Sequence, residues 1–402
     1  MRSRFIPSLR ALCLFLASSA LAAEAPSWPT FHGGPTRRGI ANDPSPAPGS
    51  KLKWKFREPK LLDRRPFASS PAVAGSRVLI GADTYKLYCL DTETGQPHWT
   101  FDARWPVFSS PAVWNGRVYV GEGLHDHTDC KLYCLDLATG KLLWSIQTQS
   151  HTESSPTVAD GRVYFGAGDD GLYCADALTG KVLWQHKGLH DDGGPLVADG
   201  RVYAGSGYGF QGIVCLSARD GSPLWKRECP APVWGAPSLW KGRLYIAIGN
   251  GTFTESAEKP YGEVRCMDPA TGADFWRFTG VREGVLTSIA ISDGSAVFGS
   301  RDGACYALGA ATGTLRWRTE VGSPILSSPA VAGGRVLFGT DDGKLTCLSL
   351  KDGARLWAVD TSDDVLVFLP NASIVSSPAV IGRKVIFGSS NGNVYCLDDE
   401  GR

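Results

Sequence analysis

The chain has 402 residues, of which 41 are basic and 40 acidic, for a net charge of +1. Both signs are interspersed without a long run of either, so the electrostatic footprint of a nucleic-acid binder is missing and that class of partner is excluded. Length alone suggests two or three domains, but an internal repeat overrides that prior.

The opening Met1-Arg2-Ser3-Arg4 leads into the apolar run 11–16 and the small residues Ala20-Leu21-Ala22-Ala23. Residues 1–23 therefore read as a secretory signal peptide cleaved near Ala22 or Ala23. Cys13 lies inside the apolar run behind Arg10, the wrong place for lipoprotein processing, and no lipid anchor is expected. Nothing later approaches the ~20 unbroken apolar residues of a membrane span. The expectation is an exported protein, periplasmic or secreted, with a leader segment over 24–50 and one domain over 51–402.

That domain is repetitive. Tryptophans recur at one place in a degenerate unit, at Trp54, Trp99, Trp144, Trp184, Trp225, Trp276, Trp317 and Trp357. The unit reads Ser-Ser-Pro-Ala-Val, a turn, Gly-Arg-Val-Tyr-x-Gly, a loop, Leu-Tyr-Cys-Leu-Asp-x-x-Thr-Gly, then Trp: four short strands. The period of roughly 40 to 50 residues falls in the range of propeller blades. The last unit stops before its fourth strand, while Lys51-Leu52-Lys53-Trp54-Lys55-Phe56 is a fourth strand with no blade before it. These features predict an all-β, eight-bladed propeller of four-stranded antiparallel blades, its ring closed by the N-terminal strand completing the last blade. Such closure hides the sheet edges that would otherwise pair with other chains.

Turn chemistry agrees. Asn115-Gly116, Asp160-Gly161, Asp199-Gly200 and Asp293-Gly294 are type I′ hairpin signals. Asp-x-x-Thr-Gly closes the third turn in several units, on the same face, which reads as structural. Eight of the 11 cysteines, beginning with Cys89 and ending with Cys396, share one third-strand position. Packed sheets lie ~10 Å apart and a disulfide needs Cα atoms within about 7 Å, so these eight cannot pair with one another. Cys130 and Cys229 lie off the repeat and are the one pair left for a bond.

The segment Ala138-Thr139-Gly140-Lys141-Leu142-Leu143-Trp144 and its copies resemble the tryptophan-docking motif of pyrroloquinoline-quinone-type propellers. The segment Trp28-Pro29-Thr30-Phe31-His32-Gly33-Gly34 resembles the leader of quinoprotein-like propellers. The resemblance implies that each fourth-strand Trp lies on the glycine turn of a neighbouring blade. Two branches share this scaffold: quinone-dependent alcohol and sugar dehydrogenases, and non-catalytic propellers similar to the BamB outer-membrane assembly factor. The dehydrogenases sandwich their quinone against a disulfide of adjacent cysteines beside a calcium ion. This chain has no Cys-Cys dipeptide and lacks long covering insertions. Asp169-Asp170 and Asp341-Asp342 are conceivable calcium ligands that a tight hairpin also favours. The expectation is a binding or assembly scaffold with protein partners, of the outer-membrane assembly kind by resemblance, and with no cofactor. The alternative is a dehydrogenase using pyrroloquinoline quinone and calcium.

Departures from the repeat locate a working face. The second-to-third-strand loops and the inter-blade crossings share one face. There blade two carries His125, Asp126 and His127, and the crossings into blades three and four add His151 with Glu153, and His190-Asp191-Asp192. Imidazole with carboxylate suits zinc, iron or copper, so His125, His127, His151 and His190 are candidate ligands of a divalent metal. A hydrogen-bonded polar loop cluster without metal is the plainer alternative. Glu153, Asp191 and Asp192, with an apolar wall of Tyr208, Phe210, Trp234 and Phe253, complete the expected binding face. No nucleophile–base arrangement and no phosphate-cradling loop is legible, and the repeated Ser-Ser-Pro serines read as structural.

Overall fold

The structure, a computed structural model, describes residues 27–41, 48–59, 67–362 and 372–398; the expected signal peptide lies outside them. Eight four-stranded antiparallel sheets form the ring, seven of them continuous in sequence. The eighth joins Leu52–Arg57 to Asn393–Leu397, with Trp54 opposite Cys396 and Phe56 opposite Val394. Burial grades outward in each blade. The second strand of blade one, Arg77–Ala82, is buried almost throughout. Its fourth, Pro97–Asp102, alternates exposed and half-buried positions on the rim. Near-continuous Val, Leu, Ile and Tyr in the middle strands suit sheets covered on both faces, whereas the alternating outer strand suits a sheet wet on one side.

The inter-blade fit is set by glycine. Gly95, Gly140, Gly180, Gly221, Gly272, Gly313 and Gly353 have φ between 68° and 73°, and a methyl added at any of them would come within 2.8 Å of the tryptophan ring of the preceding blade. Each ring also donates through Nε1 to a carbonyl in that turn, as Trp99 does to Leu137 at 3.0 Å and Trp184 to Ala218 at 3.1 Å. Glycine is needed twice over here, for its positive φ and for the absent Cβ. The turn expected to receive Trp357 lies at residues 399–402, outside the described residues. At the hairpins, Asn115, Asp160, Asp199 and Asp293 take φ of 48° to 50°, each followed by a positive-φ glycine, as a type I′ turn requires.

The repeated serines tie blade to blade around the channel. The first of each pair caps its own blade, as Ser69 Oγ does by accepting from Gly81 N at 3.1 Å. The second accepts from its neighbour: Ser110 Oγ from Ser70 N at 3.0 Å, and Ser70 Oγ from Ser377 N at 2.9 Å across the closure. The repeat cysteines are buried, and Cys130 and Cys229 are free thiols like every other described cysteine. No described helix is long and apolar enough to cross a membrane.

The leader makes one turn inside the ring. Trp28 pairs with Val73 of blade one, and Val113 N of blade two donates to Pro29 O at 2.7 Å. Thr30 Oγ1 donates to Pro156 O of blade three at 3.2 Å. Val197, Leu239 and Ile291 of blades four to six donate to Pro35, Thr36 and Arg38, and Val331 of blade seven donates to Gly39. The innermost strands have an unpaired channel edge, and this segment satisfies it. Arg37, fully buried, reaches Pro195 O at 2.9 Å and Ser155 O at 2.7 Å. A chain wound this way plugs the channel from the hairpin face.

A candidate metal centre at the channel mouth

Above the plug lies a cavity of about 440 Å³ with Phe31 of the leader among its lining residues. Its wall is built by one repeat position, the residue just before Ser-Ser-Pro or its equivalent in each blade. Six of these are apolar: Ala68, Phe108, Trp234, Leu286, Leu326 and Val375. In blades three and four, side by side, the position holds Glu153 and Asp192. Two residues upstream, where blades two, five and seven have Pro106, Pro232 and Pro324, these two blades have His151 and His190. The crossing is thus converted from Pro-apolar-apolar to His-Thr-Glu and His-Asp-Asp.

His125 joins them from the blade-two loop. One donor atom each from His125, His151, His190 and Asp192 lie within 4.8 Å of one another. All three imidazoles aim Nε2 at one carboxylate: Asp192 lies 3.2 Å from His151, 3.3 Å from His190 and 3.7 Å from His125. Glu153 Oε1 is 3.4 Å from His125 Nε2. The far nitrogens are held from behind, His190 Nδ1 by Asp169 Oδ1 at 2.8 Å and His151 Nδ1 by Ser150 Oγ at 3.2 Å. Partners of this kind fix the imidazole tautomer and orient a metal ligand. Tyr208 meets the rings of His125 and His190 edge-on, and Trp234 meets Tyr208.

Charge in the cluster is crowded. Burial raises the Glu153 carboxyl well above its usual range, and the Asp192 carboxylate raises it further. Burial also works against charge on Asp192, but the hydrogen bonds from His151 and His190 outweigh it and hold this carboxylate well below the usual range. Burial opposes a charged His190 as well, yet Asp192 and Asp169 push it up to about 9. Burial lowers His125. Burial and Asp192 push Asp191 up to about 7, against the pull of Arg37 below it. His190 Nε2 and Asp192 Oδ2 are buried and face each other at 3.3 Å, with His125 Nε2 3.7 Å from the same oxygen. Imidazole and carboxylate are donors a first-row divalent metal takes, and His151 and His190 Nε2 lie 3.2 and 3.3 Å from Asp192, near the roughly 3.3–3.5 Å that metal–nitrogen bonds of ~2.0–2.1 Å put between tetrahedral ligand atoms.

Not every expected residue is there. His127 turns away: its Nδ1 accepts from Leu124 N at 3.1 Å and its ring packs on Trp105, 4.3 Å between centroids. Phe210 is not part of the cavity wall, lying instead under the Lys226 ammonium at 3.7 Å. Asp191 is buried behind the wall, accepting from Gly194 N at 3.2 Å. Asp126 is exposed. Asp170, Asp341 and Asp342 are held by local partners such as Tyr173, Ser373 and Thr340, and Asp169 serves His190. Tyr208, Trp234 and Phe253 do line the cavity. Missed from the sequence were the apolar ring and Phe31; aligning the eight crossings would have found the ring.

A closed ring of eight blades, with seven docked tryptophans among the described residues and its site over a plugged axis, defines a quinoprotein-type repeat propeller. The family model described as outer membrane protein assembly factor BamB matches residues 45–129, 127–192, 189–259 and 260–402, and the chain belongs to this family. Among curated proteins none matches the sequence. Solved structures share the fold at low identity. BamB from Moraxella catarrhalis is 16% identical, covering 87% of this chain and 99% of its own, with a TM-score of 0.70. Quinohemoprotein alcohol dehydrogenase from Comamonas testosteroni is 17% identical, covering 95% and 82%, with a TM-score of 0.68. The computationally designed Ika8 protein is 19% identical, covering 86% and 100%, also at 0.68.

Proposed function

We propose that this chain is an exported propeller that works as a binding scaffold through a divalent transition metal at its channel mouth, held by His125, His151, His190 and Asp192. The observation that carries this reading is the convergence of four donor atoms, from three blades, within 4.8 Å. His190 Nε2 and Asp192 Oδ2, buried and facing each other at 3.3 Å, support it, since a metal between them would take both as ligands. The quinone alternative has less behind it, because the sequence holds no adjacent cysteines to face a quinone.

The test is elemental analysis of protein purified without a histidine tag, before and after loading with zinc, iron, cobalt or copper. About one equivalent per chain is expected. The pair His125→Ala, Asp192→Asn should lose it while keeping its circular dichroism. Failure of every metal to bind against a micromolar-affinity chelator would overturn the reading.

Family membership favours a second role for the same rim, as a docking surface for protein partners of the outer-membrane assembly machinery. Affinity capture from a cell-envelope extract should then recover a barrel-assembly component, and the exposed rim variant Phe253→Asp should lose it. Recovery that the variant leaves unchanged would sink this role.

A further inference from the structure

The metal wall is assembled from two crossings, and one side chain of the leader ties them together from below. Arg37 Nη2 donates to Ser155 O at 2.7 Å and to Thr157 Oγ1 at 2.6 Å, and its Nε donates to Pro195 O at 2.9 Å. Ser155 lies just after Glu153 in blade three, and Pro195 just after Asp192 in blade four. Thr30 and His32, the other buried polar side chains of residues 27–41, each reach a single blade, at Pro156 O and Pro329 O.

The serine ladder shows why a tie is needed at this place. Ser70 N donates to Ser110 Oγ, and Ser110 N to Ser155 Oγ, blade to blade. The next serine is missing, because blade four reads Gly193-Gly194-Pro195 where blade three reads Ser154-Ser155-Pro156. The guanidinium occupies the vacated place: a methyl on Gly194 would come within 2.8 Å of Arg37 Nη2 and 2.3 Å of Ser155 O. Arg37 reaches this position against two unfavourable terms. Its own φ is +47°, left-handed for a residue that is not glycine. Burial also works against its charge, down to about 10, with the Asp191 carboxylate pulling the other way. Strain of this kind persists where it aims a side chain at a site.

What the tie fixes is a distance. His151 of blade three and Asp192 of blade four stand 3.2 Å apart, and the four donor atoms close within 4.8 Å. A metal site needs its donors held within about 0.5 Å of the productive geometry. Resting on the metal reading above, we infer that Arg37 is a positioning residue for the metal centre. It holds the crossings of blades three and four at the separation where His151, His190 and Asp192 converge, so docking of the leader and binding of the metal are coupled. Coupling of this kind is reciprocal: the leader raises metal affinity, and the metal tightens the leader. The plug is thereby a working part of the site.

The experiment measures zinc affinity of the full mature chain by competition with a chromophoric chelator, for the parent, Arg37→Met and Gly140→Ala. The last destabilises the ring at a docked turn, away from the leader. Arg37→Met should bind zinc at least tenfold more weakly, whereas Gly140→Ala should match the parent. Amide exchange gives the reverse reading on the parent alone. Zinc should slow exchange at least tenfold at Arg37 and Gly39, whose N–H groups donate to Gly34 O and His32 O, and leave Leu315–Glu320 of blade six unchanged. Parent-like zinc affinity in Arg37→Met, an equal loss in Gly140→Ala, or leader amides slowed no more than those of blade six would each overturn the coupling and leave the metal reading standing. If Arg37→Met does not fold, the exchange measurement on the parent decides. A chain that takes up no zinc overturns this inference, and one that takes up none of zinc, iron, cobalt or copper overturns the metal reading as well.

Discussion

Asp169 Oδ1 lies 2.8 Å from His190 Nδ1, and this contact points the opposite nitrogen, Nε2, at Asp192. Asp169 is itself 86% exposed, so it can be changed without disturbing the core. Asp169→Asn should weaken metal binding by about 10- to 100-fold, the usual effect of losing an outer partner of a ligating histidine. Competition against a chromophoric chelator measures it, and unchanged affinity would refute the role of this carboxylate.

The docked turns make a stability prediction. Gly140 sits at φ +70° with the Trp99 ring 2.6 Å from where a Cβ would be. Gly140→Ala should cost about 1–2 kcal/mol for the left-handed backbone and more for displacing the ring. Urea titration of the variant gives the value; a midpoint equal to that of the parent would mean the ring moves aside freely.

Two truncations separate the plug from the closing strand. Removing residues 27–41 leaves Leu52–Arg57 in place, so the ring should stay shut, monodisperse on a sizing column, with a lower melting point and no ligand binding in the opened channel. Removing residues through 57 exposes the edge of Asn393–Leu397, and that protein should aggregate. Equal behaviour of the two would show that the strand does not close the ring.

The thiols should be inert. Burial pushes Cys130 up to about 12, and Cys134 and Cys229 up to about 11. A folded-state pKa above the usual value keeps the thiol protonated, so at pH 8 about one molecule in 10³ or fewer carries a thiolate at each position. Iodoacetamide should label the native chain at none of these positions at pH 8 and at all of them in guanidinium. Rapid native labelling of Cys130 would contradict its burial.

The architecture was legible because it is periodic: tryptophan, glycine turn and the half-blade at each end recur or complement each other in ways a single chain displays. The leader was not. Thr30, His32 and Arg37 are polar residue types usually found outside, yet all are buried because the innermost strands offer them carbonyls. His127 shows a different limit. An extended loop would have placed it beside His125, but His127 N donates to Leu124 O at 2.8 Å, and the resulting turn sends the two rings apart. His151, His190 and Asp192 could be placed on one face from the crossings, whereas their aim at one point depends on the curvature of the ring, which no local pattern contains.

The wound leader has a bearing on how such proteins can diversify. Propellers built from repeats gain or lose a blade by duplication or deletion of one unit, a change the blades themselves tolerate because each touches only its neighbours. Here twelve residues span seven of the eight blades, engaging one after another from Trp28 at Val73 to Gly39 at Val331. A ninth blade would leave that segment too short to go round, and a seventh would leave slack on the axis. The leader acts as a ruler, matched in length to the arc of the seven blades it engages.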